Sequence, residues 1–181
     1  MSSHGSTPGD PRFTPARAEA VEALLALVRE YYDFDGIHFD DATARRGLAE
    51  LLTDASLGGA WIIRRGDDAV GYFVLTYGFD LELGGRQATV TELYLRPHAR
   101  RQGIGSRALT FIEEHLRQVG IGAYELHVER DNAAARAFYA RMGLEPHDRI
   151  PLTKLLAAPR ASPRSEEAPQ VSMHGQGFDD P

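Results

Sequence analysis

Cysteine is missing from all 181 residues. Its absence excludes disulfides, thiolate metal sites and a cysteine nucleophile together. An acyl group delivered as a thioester therefore has no protein thiol to rest on, and any such transfer is expected to be direct. Long apolar runs are missing too. Residues 23–28 form the longest near the start, far short of a membrane span or signal-peptide core, and the polar residues 1–10 carry no basic lead. The chain reads as soluble, unexported and cytoplasmic, without a membrane partner. Positive charge is in deficit: the net charge is −6, which disfavours nucleic acid as a partner. His98, His115, His127 and His147 follow no metal-ligand spacing, so no metal is expected. A Gly-x-Ser-x-Gly elbow and a Gly-Lys-Ser/Thr phosphate loop are both absent, which argues against a hydrolase and a nucleotide triphosphatase.

What is present is enough for one folded domain. Residues 1–11 are rich in Ser, Gly and Pro, and residues 157–181 hold few large apolar side chains. Both read as segments unable to bury enough surface to offset their ordering entropy. The folded part is expected over residues 12–156. Apolar spacing predicts helices over 18–32, 42–52, 103–119 and 132–142. β-Branched and aromatic runs bounded by turns predict strands over 61–63, 69–77, 87–95, 124–128 and 150–156, with room for one more at the start. Alternation of strand and helix in the second half, after hairpins in the first, predicts an α/β sandwich on a mixed sheet.

The segment Leu95 to Gly105 joins a strand to a helix and holds Arg96, Arg100 and Arg101, with Gly103 and Gly105 at the helix start. Free N–H groups and the positive end of the dipole make such a helix start a site for a diphosphate. A tight turn with solvated arginines explains the glycine spacing about equally well. Gly103-Ile104-Gly105-Ser106-Arg107-Ala108 also fits the dinucleotide fingerprint, with Glu125 at the place of a ribose-binding acid. Against that stand the seven residues separating strand from glycine, the short stretch of foldable chain remaining, and the lack of hydride-transfer machinery.

A second motif runs from Asn132 through Ala133, Ala134, Ala135, Phe138 and Tyr139 to Gly143 and Leu144. Asn132 and Tyr139 lie two turns apart on one helix face, and the small alanines leave that face open. Asn132 as a helix cap and Phe138 as a core residue are the plainer reading. Taken as a pair, Arg100-x-x-Gly103-x-Gly105 and Asn132-x-x-Ala135-x-x-Phe138-Tyr139-x-x-x-Gly143 resemble the GNAT acetyltransferase superfamily. Upstream, Tyr31-Tyr32-x-x-Asp35-Gly36 and Glu92-Leu93-Tyr94 look like its HPA-type bacterial members.

The resemblance implies the GNAT acyl-CoA N-acyltransferase fold. That is a mixed, mostly antiparallel twisted sheet of six to seven strands flanked by about four helices. It implies acetyl transfer from acetyl-CoA to a primary amine of a small molecule or a protein, in a ternary complex, and leaves room for a homodimer. The alternative is a module of the same fold that binds acyl-CoA without turnover. The resemblance assigns the pantetheine arm to the backbone of Leu93, Tyr94 and Leu95. It assigns the diphosphate to the loop of Arg100, Arg101, Gln102, Gly103, Ile104, Gly105 and Ser106. Asn132, Ala135 and Phe138 complete the cofactor site, and Tyr139 is the general acid toward the departing thiolate.

Glu92 is the expected general base, an unfavourable residue in an otherwise apolar strand. Alternation places it on the face of Val90 and Tyr94. An exposed strand position or a salt bridge to an arginine is the alternative use for it. Tyr32, Asp35, Phe39, Tyr77 and Glu82 are expected around the acceptor.

Overall fold

The computed structural model describes residues 9–154 and 156. The expected leader lies largely, and the expected tail entirely, outside the described residues. Through residue 147 the chain forms one unit. Its strands are β1 (Arg12–Pro15), β2 (Gly58–Arg65), β3 (Asp68–Asp80), β4 (Gly85–Leu95) and β5 (Ala123–Leu126), and its helices are α1 (Val21–Asp35), α2 (Asp41–Thr53), α3 (Ile104–Gln118) and α4 (Ala133–Arg141). The strands make one sheet in chain order, antiparallel from β1 to β4, with β5 parallel to β4. The strand left open at the start is β1.

Period-two alternation in β2 and β3 divides the core into two layers. Trp61, Ile63, Phe73 and Leu75 face α3, which buries Ile104, Ala108, Leu109, Ile112 and Leu116 against them. Trp61 stacks on Phe73 with centroids 5.1 Å apart. Ile62, Tyr72 and Val74 face the other way, under Leu24, Leu25, Leu27 and Val28 of α1 and Leu48 of α2. Each large aliphatic side chain fully buried in these layers stabilises the fold by roughly 2 kcal/mol.

The helix ends follow local chemistry. α1 stops at Gly36, whose φ of 67° suits a residue without Cβ. α2 starts at Asp40, whose carboxylate accepts from the Thr43 N–H at 2.8 Å.

From residue 148 the described residues hold neither helix nor strand. The strand expected over 150–156 is thus not formed among them, and Ile150 and Leu152 are exposed. Apolar alternation alone makes no strand, since a strand also needs a partner for its backbone groups.

Candidate active site

The site begins with an irregularity in β4. Val74 faces Glu92 while the next residue, Leu75, faces Val90, so Thr91 is an extra residue in the ladder. Such a bulge resets the alternation of side chains. Ala88 and Val90 pack on the α3 side, whereas Tyr94 packs on the α1 side. Glu92 therefore shares a face with Tyr94 but not with Val90, which corrects the expectation from plain alternation.

On the α1 side Glu92 meets two phenols. Tyr72 of β3 donates to Oε2 at 2.7 Å, and Tyr32 of α1 donates to Oε1 at 3.1 Å. The carboxylate makes no ion pair among the described residues, so the salt-bridge alternative is not what the structure shows. Burial, then the negative charge of Glu92, push the Tyr32 phenol up to about 12. Tyr72, fully buried, is pushed in the same direction by the same causes. Tyr31, next to Tyr32, is pushed up to about 12 by burial and by Asp35. All three remain protonated donors at neutral pH. Sequence reasoning missed Tyr72, because only the β3–β4 register brings it to Glu92.

The expected acceptor residues divide. Tyr32 lies at Glu92, Phe39 packs edge-on against Tyr32 at 5.8 Å, and Asp35 accepts from Tyr31 at 3.4 Å. Tyr77 does not join them: it belongs to the α3 layer, and its hydroxyl lies 3.0 Å from His115 Nε2. Asp80 lies six positions along β3 from Val74, which faces Glu92, and Glu82 lies in the turn beyond. That spacing puts Glu82 roughly 20 Å from Glu92, so it is not part of this cluster.

Beyond the bulge, the outer edge of β4 is open. β5 pairs with β4 only from Gln87 to Val90. The Arg96 N–H donates to the Val70 carbonyl at 2.9 Å. Antiparallel alternation then turns the backbone groups of Glu92 and Tyr94 toward β3, and those of Leu93 and Leu95 outward. Of the three residues expected to meet the pantetheine, Tyr94 is thus committed within the sheet. The Leu95 carbonyl accepts from Arg100 Nε at 2.8 Å.

The open edge leads into the start of α3. Gly103 caps it with φ 76°, and no side chain bonds to the helix end. The N–H groups of Ile104, Gly105 and Ser106 have no acceptor inside the helix. The two glycines serve different needs. A Cβ on Gly103 would meet open space, so its conformation is what requires glycine, whereas a Cβ on Gly105 would lie 3.3 Å from the Phe138 ring.

Most of the clustered charge is already engaged. Arg96 bonds both oxygens of Glu30 at 2.8 and 2.7 Å, and Arg107 pairs with Asp10. The Arg100 guanidinium lies 4.2 Å over the Phe34 ring. The Gln102 side chain accepts from Arg65 and donates to the His98 carbonyl. Among the described residues Arg101 is left as the loop arginine without a side-chain partner, and it has φ 58°, a conformation that costs a non-glycine residue about 1 kcal/mol.

Asn132 caps α4, its Oδ1 accepting from the Ala135 N–H at 3.0 Å. Its Nδ2 is the group still available to a ligand. Phe138 and Tyr139 both pack against the α3 layer. Burial raises the Tyr139 phenol, and its hydroxyl takes no hydrogen bond from the described residues. Among the described residues no three His, Asp or Glu side chains come together as a metal site, and no helix is long and apolar enough to cross a membrane.

An open β4 edge thus runs into an uncapped helix start on a mixed five-stranded sheet, an arrangement suited to a ligand that carries a diphosphate. The profile of the acetyltransferase (GNAT) family matches residues 21–144, and the chain belongs to that family. It is similar to the aminoalkylphosphonate N-acetyltransferase of Salmonella typhimurium, 30% identical over 128 residues that cover 71% of this chain and 80% of that one. Among solved structures, an integron cassette protein from the mobile metagenome of Cole Harbour Salt Marsh is 32% identical with a TM-score of 0.72, covering 81% of this chain and 91% of that chain. An aminoglycoside N-acetyltransferase in complex with CoA superposes with a TM-score of 0.71 at 12% identity, over 87% of this chain and 100% of that chain, and shares the fold. The activity is acetyl transfer from acetyl-CoA to an amine.

Proposed function

We propose that this enzyme acetylates a primary amine of a small molecule or a protein by direct transfer within a ternary complex. The observation that carries the reading is the uncapped start of α3 beside the open edge of β4. Acetyl-CoA supplies the activated acetyl group and a thiolate leaving group. The N–H groups of Ile104, Gly105 and Ser106 hold the diphosphate, with Arg101 adding charge. Outward backbone groups of Leu93 and the outward N–H of Leu95 pair with the pantetheine arm, and Asn132 Nδ2 donates to it. Glu92 takes the proton that the attacking ammonium must lose, directly or through one water. Tyr139 gives a proton to the departing sulfur. A phenol raised by burial stays protonated until it is needed, and it acts on a thiolate only when held close to it.

Phe39 and Tyr32 line the acceptor side, with Asp35 behind Tyr31. The similarity to an aminoalkylphosphonate N-acetyltransferase places aminoalkylphosphonates beside polyamines, aminoglycosides, amino acids and peptides in the acceptor panel. Because the protein has no cysteine, CoA release is read with a thiol reagent free of protein background. At least one amine should release CoA well above buffer. Acetyl-CoA binding without release on the whole panel would favour the non-turnover module.

A further inference from the structure

We propose that Tyr72, with Tyr32, is a positioning residue that holds the Glu92 carboxylate in one orientation as an anion ready to accept a proton. The inference rests on the proposed role of Glu92 and extends it to the residues behind it. Three elements far apart in the chain build the arrangement. β4 supplies Glu92, turned to the α1 side by the bulge at Thr91. β3 supplies Tyr72, fully buried, whose hydroxyl lies 2.7 Å from Oε2. α1 supplies Tyr32, half-buried, 3.1 Å from Oε1. Each oxygen thus accepts one hydrogen bond from a phenol and keeps a lone pair for the amine or a water.

Carboxylates in apolar strands ordinarily recruit an arginine or other hydrogen-bond donors. Glu92 makes no ion pair among the described residues. The groups facing it are Tyr31 and Tyr32 from α1, Tyr72 from β3 and Tyr94 on its own strand, with Asp35 beyond Tyr31. None of these brings positive charge. The two phenols are therefore the hydrogen-bond donors that fix the carboxylate, one on each oxygen. Aromatic packing locks the donors in turn: Tyr31 stands edge-on to both Tyr32 and Tyr72, with centroids 5.7 and 6.4 Å apart.

The test follows the carboxylate itself. Protein carrying 13C-labelled glutamate is titrated by NMR as wild type, Tyr72→Phe and Tyr32→Phe, with kcat/KM against pH measured on the same samples. Loss of one donor to the carboxylate is expected to move the Glu92 midpoint upward relative to wild type. The acidic limb of kcat/KM should move with it, while calorimetric affinity for CoA stays within twofold. A midpoint that stays in place in a folded variant, or a rate that drops evenly at every pH, would overturn the proposal. Should Tyr72→Phe fail to fold, Tyr32→Phe carries the same measurement on the other oxygen.

Glu92→Gln separates the two readings. If the acidic limb survives that change, Glu92 is not the base, and the phenols lose their catalytic consequence. If the limb vanishes in Glu92→Gln but does not move in either phenylalanine variant, the base stands and only the positioning role falls. If no amine turns over, the NMR titration alone decides whether the phenols hold the anion.

Discussion

Glu92 and Tyr139 stand on opposite faces of the central sheet. Glu92 lies under Tyr32 of α1, and Tyr139 packs in the layer beneath α3. The gap where β5 leaves β4 after Val90 is where groups on both faces can reach one substrate. With the roles proposed for Glu92 and Tyr139, this arrangement suits a direct transfer, in which the amine arrives on one side of the thioester and the thiolate leaves on the other.

That placement separates their effects in the pH profile. Glu92→Gln should remove the acidic limb of kcat/KM and lower its plateau on the order of 10²-fold or more. Tyr139→Phe should lower kcat by a similar factor and remove the alkaline limb, with CoA affinity by calorimetry little changed. Loss of CoA affinity in Tyr139→Phe would make the residue part of the binding surface instead.

Gly103 and Gly71 should respond differently to alanine. Gly103→Ala meets no atom but forces an L residue to φ 76°, so a loss of about 1 kcal/mol is expected. At Gly71 a Cβ would lie 2.2 Å from the Tyr94 carbonyl oxygen and 2.9 Å from Leu95 Cδ2. Backbone must move there, and Gly71→Ala should lose roughly 2–3 kcal/mol and disturb the β4 edge. Denaturant unfolding together with CoA titration checks both.

Arg96 ties α1 to the end of the β3–β4 hairpin through Glu30, and the hydrogen bond from Arg96 holds the Glu30 carboxyl below its ordinary range. A depressed carboxylate stabilises the fold above its unfolded value, near 4.3, and that contribution disappears as pH falls through the folded value. Glu30→Gln should cost about 1 kcal/mol at pH 7, given the partial exposure of the pair. The difference from wild type should shrink below pH 4. Thermal melts across pH 3–7 measure it.

His115 should give a second acid-sensitive contribution with a separate window. Burial lowers its imidazole, which lies against Trp61 at 4.8 Å and the Tyr77 hydroxyl. The unfolded chain binds that proton more readily, so stability is lost as pH falls from about 6.5 toward the lower folded value. His115→Gln should flatten the stability curve between pH 6.5 and 5. An unchanged slope would show that His115 does not set it.

The amino-acid sequence by itself determined much of this protein. Helical periodicity located the four α-helices of the described residues. The two spaced motifs marked the helix start at Gly103 and the helix from Asn132, because glycine conformation, helix caps and period are properties of neighbours along the chain. The tertiary structure decided what depends on distant segments. The register of β3 on β4 placed the bulge at Thr91, which moved Glu92 away from Val90 and onto Tyr72. Packing sent Tyr77 to His115, committed Arg96 to Glu30, and left residues 150–154 outside any ladder. A strand shows only an alternation of side chains. Which face is which, and whether a partner exists, is set by hydrogen bonds between residues that the chain order keeps far apart.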